Sequence, residues 1–323
     1  MMPESAISQA ENVIERSEKD VNLGLCNGTC IVDAEKNGGK TPPELVPAAV
    51  DDKLNDNSVA ETSNVEVEYV DSENLKELGD VDSAVKSLLN ELKSNNWVVV
   101  CEALNNVRRL SIHHKDAMRD MLSEVVPLIV KSLKNPRSGV CKTAIMASAD
   151  VFSAYNDSII ESLDPLLVQL LLKSSQDKKF VCEVAENSLV IMTKSVSPTL
   201  LLPKLQPYLQ NKNPRVRAKA SFCFSRCVPR LGVDGIKSYG IGELMRAAAS
   251  QLCDQLPESR EAARALLLEL QAVFEVSADH AGQSDSAVTD TWEHFCHSNL
   301  SPLNAQAVLR VTTVGRQALV STS

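Results

Sequence analysis

Aromatic side chains are scarce in this chain: Phe, Tyr and Trp make up 4% of 323 residues, while apolar residues as a whole reach 44%. A core with so few rings is built from Leu, Val and Ala. That composition suits helices packed through aliphatic side chains better than sandwiches rich in aromatic and β-branched residues. The apolar fraction also excludes a wholly disordered chain, because it is enough to form a substantial core. Long hydrophobic runs are missing as well. The most apolar stretch, residues 163–172, is interrupted by Asp164, Pro165 and Gln169 and falls short of the roughly 20 residues of a membrane span. No membrane role is expected. The opening MMPESAISQAENVIERSEKD has no apolar signal core, and nine cysteines form no regular secreted framework. The expectation is an intracellular, cytoplasmic protein with reduced thiols.

Motifs that carry chemistry are also absent. There is no GxxxxGK[ST] phosphate loop, no GxGxxG after a strand, no GxSxG and no HExxH. Cys223 and Cys227 lie four apart on one helix face without matching ligands, and Cys26 and Cys30 fare no better. The His113, His114 pair and the cluster of His294, Cys296 and His297 lack the four-ligand spacing of structural zinc. No catalytic residue, metal site or cofactor is expected.

The net charge of −9 conceals an asymmetry: residues 1–78 carry −11, residues 79–230 carry +7, and residues 231–323 carry −5. The middle of the chain is therefore suited to an acidic partner, either an acidic protein surface or a nucleic acid. Nucleic acid ranks lower, since the positive charge is modest and no aromatics are interleaved with it for stacking. Residues 1–78 scatter Gly, Pro, Ser, Asn and acidic residues among few aromatics, so ordering them would cost more entropy than burial returns. They are read as a disordered leader, with residues 65–70 as its one candidate for packing on the body.

From about residue 80 the pattern becomes helical and repeats itself. The segments NNWVVVCEALNNVRRL, NPRSGVCKTAIMASAD, DKKFVCEVAENSLVIM, NPRVRAKASFCFSRCV and ESREAARALLLELQAV align on Val100, Val140, Val181, Val216 and Ala262. These anchors are 40, 41, 35 and 46 residues apart, near the period of roughly 40–47 residues of HEAT and armadillo helix pairs. Apolar residues recur at i, i+3 or i+4, and i+7 in each segment, as in Val100, Ala103, Leu104 and Val107, so each is a helix with one buried face. A second amphipathic stretch precedes each one, at residues 85–92, 121–133, 159–172, 200–209 and 241–252. The unit is thus an antiparallel pair, helix A then helix B, and the class is all-α: an α-solenoid of HEAT/armadillo-type helix pairs. Five pairs are assigned to residues 79–276, and a linker with a capping helix pair to residues 277–323. Cys101, Cys141 and Cys182 each follow an anchor valine and are read as core packing.

Short polar turns, KSNNW, KNPR, SSQDKK, QNKNPR and QLPESR, separate A from B. Pro136, Pro214 and Pro257 are expected to stop helix A, with Asn or Asp capping helix B. Equivalent turns of a solenoid align along one edge, so the five loops should form a ridge rich in Lys and Arg, with Trp97 in its first loop. Trp and Arg are the residues most enriched at interface hot spots. A single basic loop residue is more often merely solvated, and Trp97 also has a packing alternative against the neighbouring helix.

The opening repeat, with Asn96, Trp97, Glu102, Ala103, Leu104, Val107 and Arg108, resembles the TOG domains of microtubule regulators, particularly the CLASP type. Arg137-Ser-Gly-Val-Cys-Lys-Thr-Ala and Asn213-Pro-Arg-Val-Arg-Ala-Lys-Ala resemble later repeats of the same pattern. Val100 stands where these domains usually have Arg. The resemblance implies a non-catalytic module whose A–B loops hold tubulin or microtubules. It assigns partner contacts to Trp97, Arg137, Lys178, Lys179, Lys212 and Arg215. A general HEAT scaffold for a different protein partner is the alternative, and Val100 favours it.

Overall fold

The structure, a computed structural model, describes residues 69–281 and 291–320. The expected character of residues 1–68, and Cys26 and Cys30 within them, lies outside that range. Every regular element among the described residues is helical. The A–B pairs are α1 (Val81–Leu92) with α2 (Trp97–His113), α3 (Leu122–Leu133) with α4 (Ser138–Tyr155), and α5 (Leu163–Lys173) with α6 (Lys179–Ser195). They continue with α7 (Pro198–Leu205) and α8 (Pro214–Cys227). An extra short helix α9 (Gly232–Tyr239) precedes the fifth pair, α10 (Ile241–Gln251) and α11 (Pro257–Ala281). A final pair follows, α12 (Trp292–Asn299) and α13 (Pro302–Val320).

The B helices stack side by side, α2 on α4, α4 on α6, and α8 on α11, so each repeat completes the core of its neighbour. Val140, Val181 and Val216 are buried at the predicted slot, as is Val100. Leu104, Val107 and Leu110 of α2 and Ile145, Val151 and Phe152 of the neighbouring α4 are all without solvent exposure. Burial of such a side chain stabilises the fold by about 1.5–3 kcal/mol relative to leaving it in water.

The fifth anchor is Ser259 rather than Ala262. The Arg217 guanidinium donates to the carbonyls of Asn211 and Lys212, and Arg260 donates at the same offsets to those of Asp254 and Gln255. This equivalence places Ser259, which is fully buried, opposite Val216. A serine in the apolar slot hid the register, and the pattern drew the alignment three residues on. The longer last repeat then accommodates α9.

The cysteine slot also has a polar function. The Cys141 thiol donates to the Leu133 carbonyl at 3.4 Å and Cys182 to that of Ser174 at 2.9 Å, each at the end of the preceding helix A. In the last two repeats Arg217 and Arg260 occupy that slot and satisfy the turn carbonyls instead. The prolines do not stop helix A as expected. Pro214 and Pro257 are the first residues of α8 and α11, where a missing amide costs nothing, and Pro136 lies in the turn itself.

At the front, the described chain packs ahead of residue 79: Leu75 is buried and its carbonyl lies 3.0 Å from His113 Nε2. At the back, several of the chain's few rings gather. Trp292 is 5.4 Å from Phe274 of α11 between centroids, Phe295 lies 4.8 Å from Phe274, and Trp292 Nε1 donates to Thr312 Oγ1. This cluster seats α12 and α13 on α11.

Candidate interaction edge

Asparagine and aspartate fold the A–B loops locally. The Asn96 side chain accepts from the Val98 amide, Asn135 from Arg137, Asn211 from Asn213, Asn213 from Arg215, and Asp254 from Leu256. Each is the short side-chain turn that Asn and Asp favour.

Contacts between side chains join successive loops. The Arg137 guanidinium of loop 2 lies 5.3 Å above the Trp97 ring of loop 1. Arg215 of loop 4 donates to Asp177 and to the Ser175 carbonyl of loop 3, at 2.5 and 3.2 Å. Arg217 is paired with Asp254 of loop 5 at 2.5 Å, and Lys219 with Glu186 and Glu258 at 2.7 and 2.9 Å. Trp97 and Arg137 thus join loops 1 and 2, and Arg215 joins loop 4 to loop 3.

Lys178 and Lys179 project into solvent from the start of α6. The Lys179 side chain is 88% exposed, with only Glu183 nearby at 3.8 Å. Lys212 is exposed in loop 4. Trp97 is half-buried, combining the packed and the accessible readings of the sequence. Val100, in place of the usual arginine, is buried beneath the edge and belongs to the packing.

Sequence reasoning missed Phe180, which follows the two lysines and is 46% exposed. The signal was available: a helix turns by about 100° per residue, so the residue before core-facing Val181 lies off the buried face. It also missed Lys142, whose ammonium sits 3.8 Å from the Tyr69 ring centroid.

Electrostatically, the Asp254 carboxyl is the most informative group. Burial alone would raise its pKa, but hydrogen bonds from Arg217 and the Leu256 amide outweigh that and hold it below the ordinary carboxylate value. Cysteine thiols move the other way. Burial raises Cys141, pushes Cys227 up to about 12 and, with the Glu186 carboxylate, Cys182 to about 11. Cys223 is raised too, and no cluster of three or more metal-binding side chains occurs among the described residues. No helix among the described residues is long and apolar enough to cross a membrane.

Residues 81–289, more than half of the chain, match the family model described as CLASP N terminal. The chain belongs to that family, and its helical solenoid is a TOG domain. It is 30% identical over 138 residues to the mouse (Mus musculus) TOG array regulator of axonemal microtubules protein 1, covering 43% of this chain and 8% of that protein. The chain thus spans under a tenth of the length of that relative. A Crescerin TOG domain, from an array that regulates microtubules in the primary cilium, is 15% identical with a TM-score of 0.50. That match covers 71% of this chain and 88% of the other. A structure from work on microtubule plus end tracking by XMAP215, CLIP-170 and EB1 is 16% identical, TM-score 0.50, covering 74% and 94%. At those identities the two structures establish the shared fold alone.

Proposed function

We propose that this chain is a non-catalytic, cytoskeleton-associated module that binds tubulin through its A–B loop edge, with Trp97, Arg137, Lys178 and Lys179 in reach of the partner. The observation that carries this reading is the stacking of Arg137 on the half-buried Trp97 at the loop edge of a TOG domain. An aromatic held by a cation at the end of a rigid helix is preorganised as an anchor, so little entropy is lost when it docks. The lysines beside it match an acidic protein surface and would accelerate encounter. The relatives named for microtubules point to the same partner.

A general HEAT scaffold is the second reading, favoured by Val100, which removes a guanidinium from the first repeat. Gel filtration of the full chain with unpolymerised tubulin separates the two. The tubulin reading predicts co-elution for the wild type and its loss in the Trp97→Ala, Lys178→Glu, Lys179→Glu variant. A wild type that elutes alone at low salt leaves the scaffold.

A further inference from the structure

The basic residues of the edge divide into two groups. In loops 4 and 5, apart from the exposed Lys212, they are held by the fold: Arg217 by Asp254 and two loop carbonyls, Lys219 by Glu186 and Glu258, and Arg260 by two further carbonyls. Arg215 closes on Asp177 and the Ser175 carbonyl. The Arg217 and Lys219 side chains are only 17% and 14% exposed. Turning them to a partner would strand Asp254, whose side chain is 4% exposed.

In loops 1 to 3 the position is reversed. Lys93, Lys134 and Lys178 are exposed with no carboxylate within 4.0 Å among the described residues, and Arg137 rests on a ring rather than on an acid. Lys179 meets only an exposed glutamate at 3.8 Å. The same stretch carries the half-buried Trp97 at the end of loop 1 and the exposed Phe180 in the first turn of α6, just after loop 3.

Resting on the tubulin reading, we infer that the recognition surface is confined to loops 1 to 3. In this arrangement Trp97 and Phe180 are its two apolar contacts, Lys93, Lys134, Lys178 and Lys179 its cationic frame, and loops 4 and 5 an internal clasp. The fitting surface is acidic, with two apolar recesses two repeats apart. A module built this way grips one part of the tubulin dimer instead of using the full row of five loops. Its cations need shed only water and counterions on binding.

The test measures tubulin affinity of the full chain and of three variants at two salt concentrations, with thermal midpoints recorded alongside. Phe180→Ala and Lys178→Glu/Lys179→Glu are expected to weaken binding by about tenfold or more at an unchanged midpoint, the charge variant also flattening the salt dependence. Lys219→Gln is expected to lower the midpoint while affinity stays within about threefold. Equal loss of affinity from Lys219→Gln, or a Phe180→Ala variant that binds like wild type, overturns the division while leaving tubulin binding intact. A wild type that does not bind at all overturns the tubulin reading, and the division with it.

Discussion

Arg108 of α2 donates through Nε to the Asp150 carboxylate of α4 at 2.8 Å, and the Ser72 hydroxyl closes the pair by donating to Asp150 at 2.7 Å and accepting from Arg108 at 3.2 Å. The arginine is 1% exposed, so this ion pair lies inside the stack of B helices. Removing one partner leaves the other charge buried. Asp150→Ala is expected to cost about 3–5 kcal/mol and Ser72→Ala about 1 kcal/mol in denaturant unfolding. Equal and small effects would place the pair in solvent.

Acid sensitivity of the second half follows from Asp254. Its carboxyl pKa is held below the ordinary value, so the unfolded chain binds the proton more readily and the group stabilises the fold above that value. The contribution is lost as pH falls through the folded-state pKa. The stability gap between wild type and Asp254→Asn is therefore expected to be full at neutral pH and to shrink below about pH 4. Thermal melts across that range check the sign.

Thiol reactivity separates one cysteine from the rest of the described ones. Cys253 is exposed, whereas Cys101, Cys141, Cys223, Cys227 and Cys296 are buried and Cys182 is partly covered. With Cys26 and Cys30 replaced by serine, a maleimide at neutral pH is expected to label Cys253 first, by mass spectrometry of peptides. Equally rapid labelling of Cys223 would show the B-helix stack to be open.

The terminal pair is held by rings. Truncating Trp292, which touches Phe274 and donates to Thr312, is expected to cost about 3–5 kcal/mol. A loss of that size in Trp292→Ala, set against little change in Trp97→Ala, distinguishes the core tryptophan from the edge one.

The fold was legible because apolar period and repeat length point the same way: Val100, Val140, Val181 and Val216 repeat at a helix-pair spacing and all are buried. The fifth anchor was not, because Ser259 carries no hydrophobic signal and its place in the repeat shows only through the carbonyl contacts of Arg260. The edge was legible as a row of loops, since solenoid geometry aligns equivalent turns. Its internal wiring was not. Nothing in the order of residues says that Arg215 reaches back 38 positions to Asp177, or that Lys178 and Lys179 remain without such a tether. Phe180 did not stand out as a surface residue because an apolar side chain beside core Val181 reads as packing.

The central claim is that the free cations of this edge bind tubulin, and co-sedimentation of the full chain with microtubules at low and physiological salt tests it most directly. The account predicts that the wild type pellets with the polymer, weakens as salt rises, and stays in the supernatant when Lys178 and Lys179 are both replaced by Glu. A double variant that pellets as well as the wild type at both salt concentrations would contradict it.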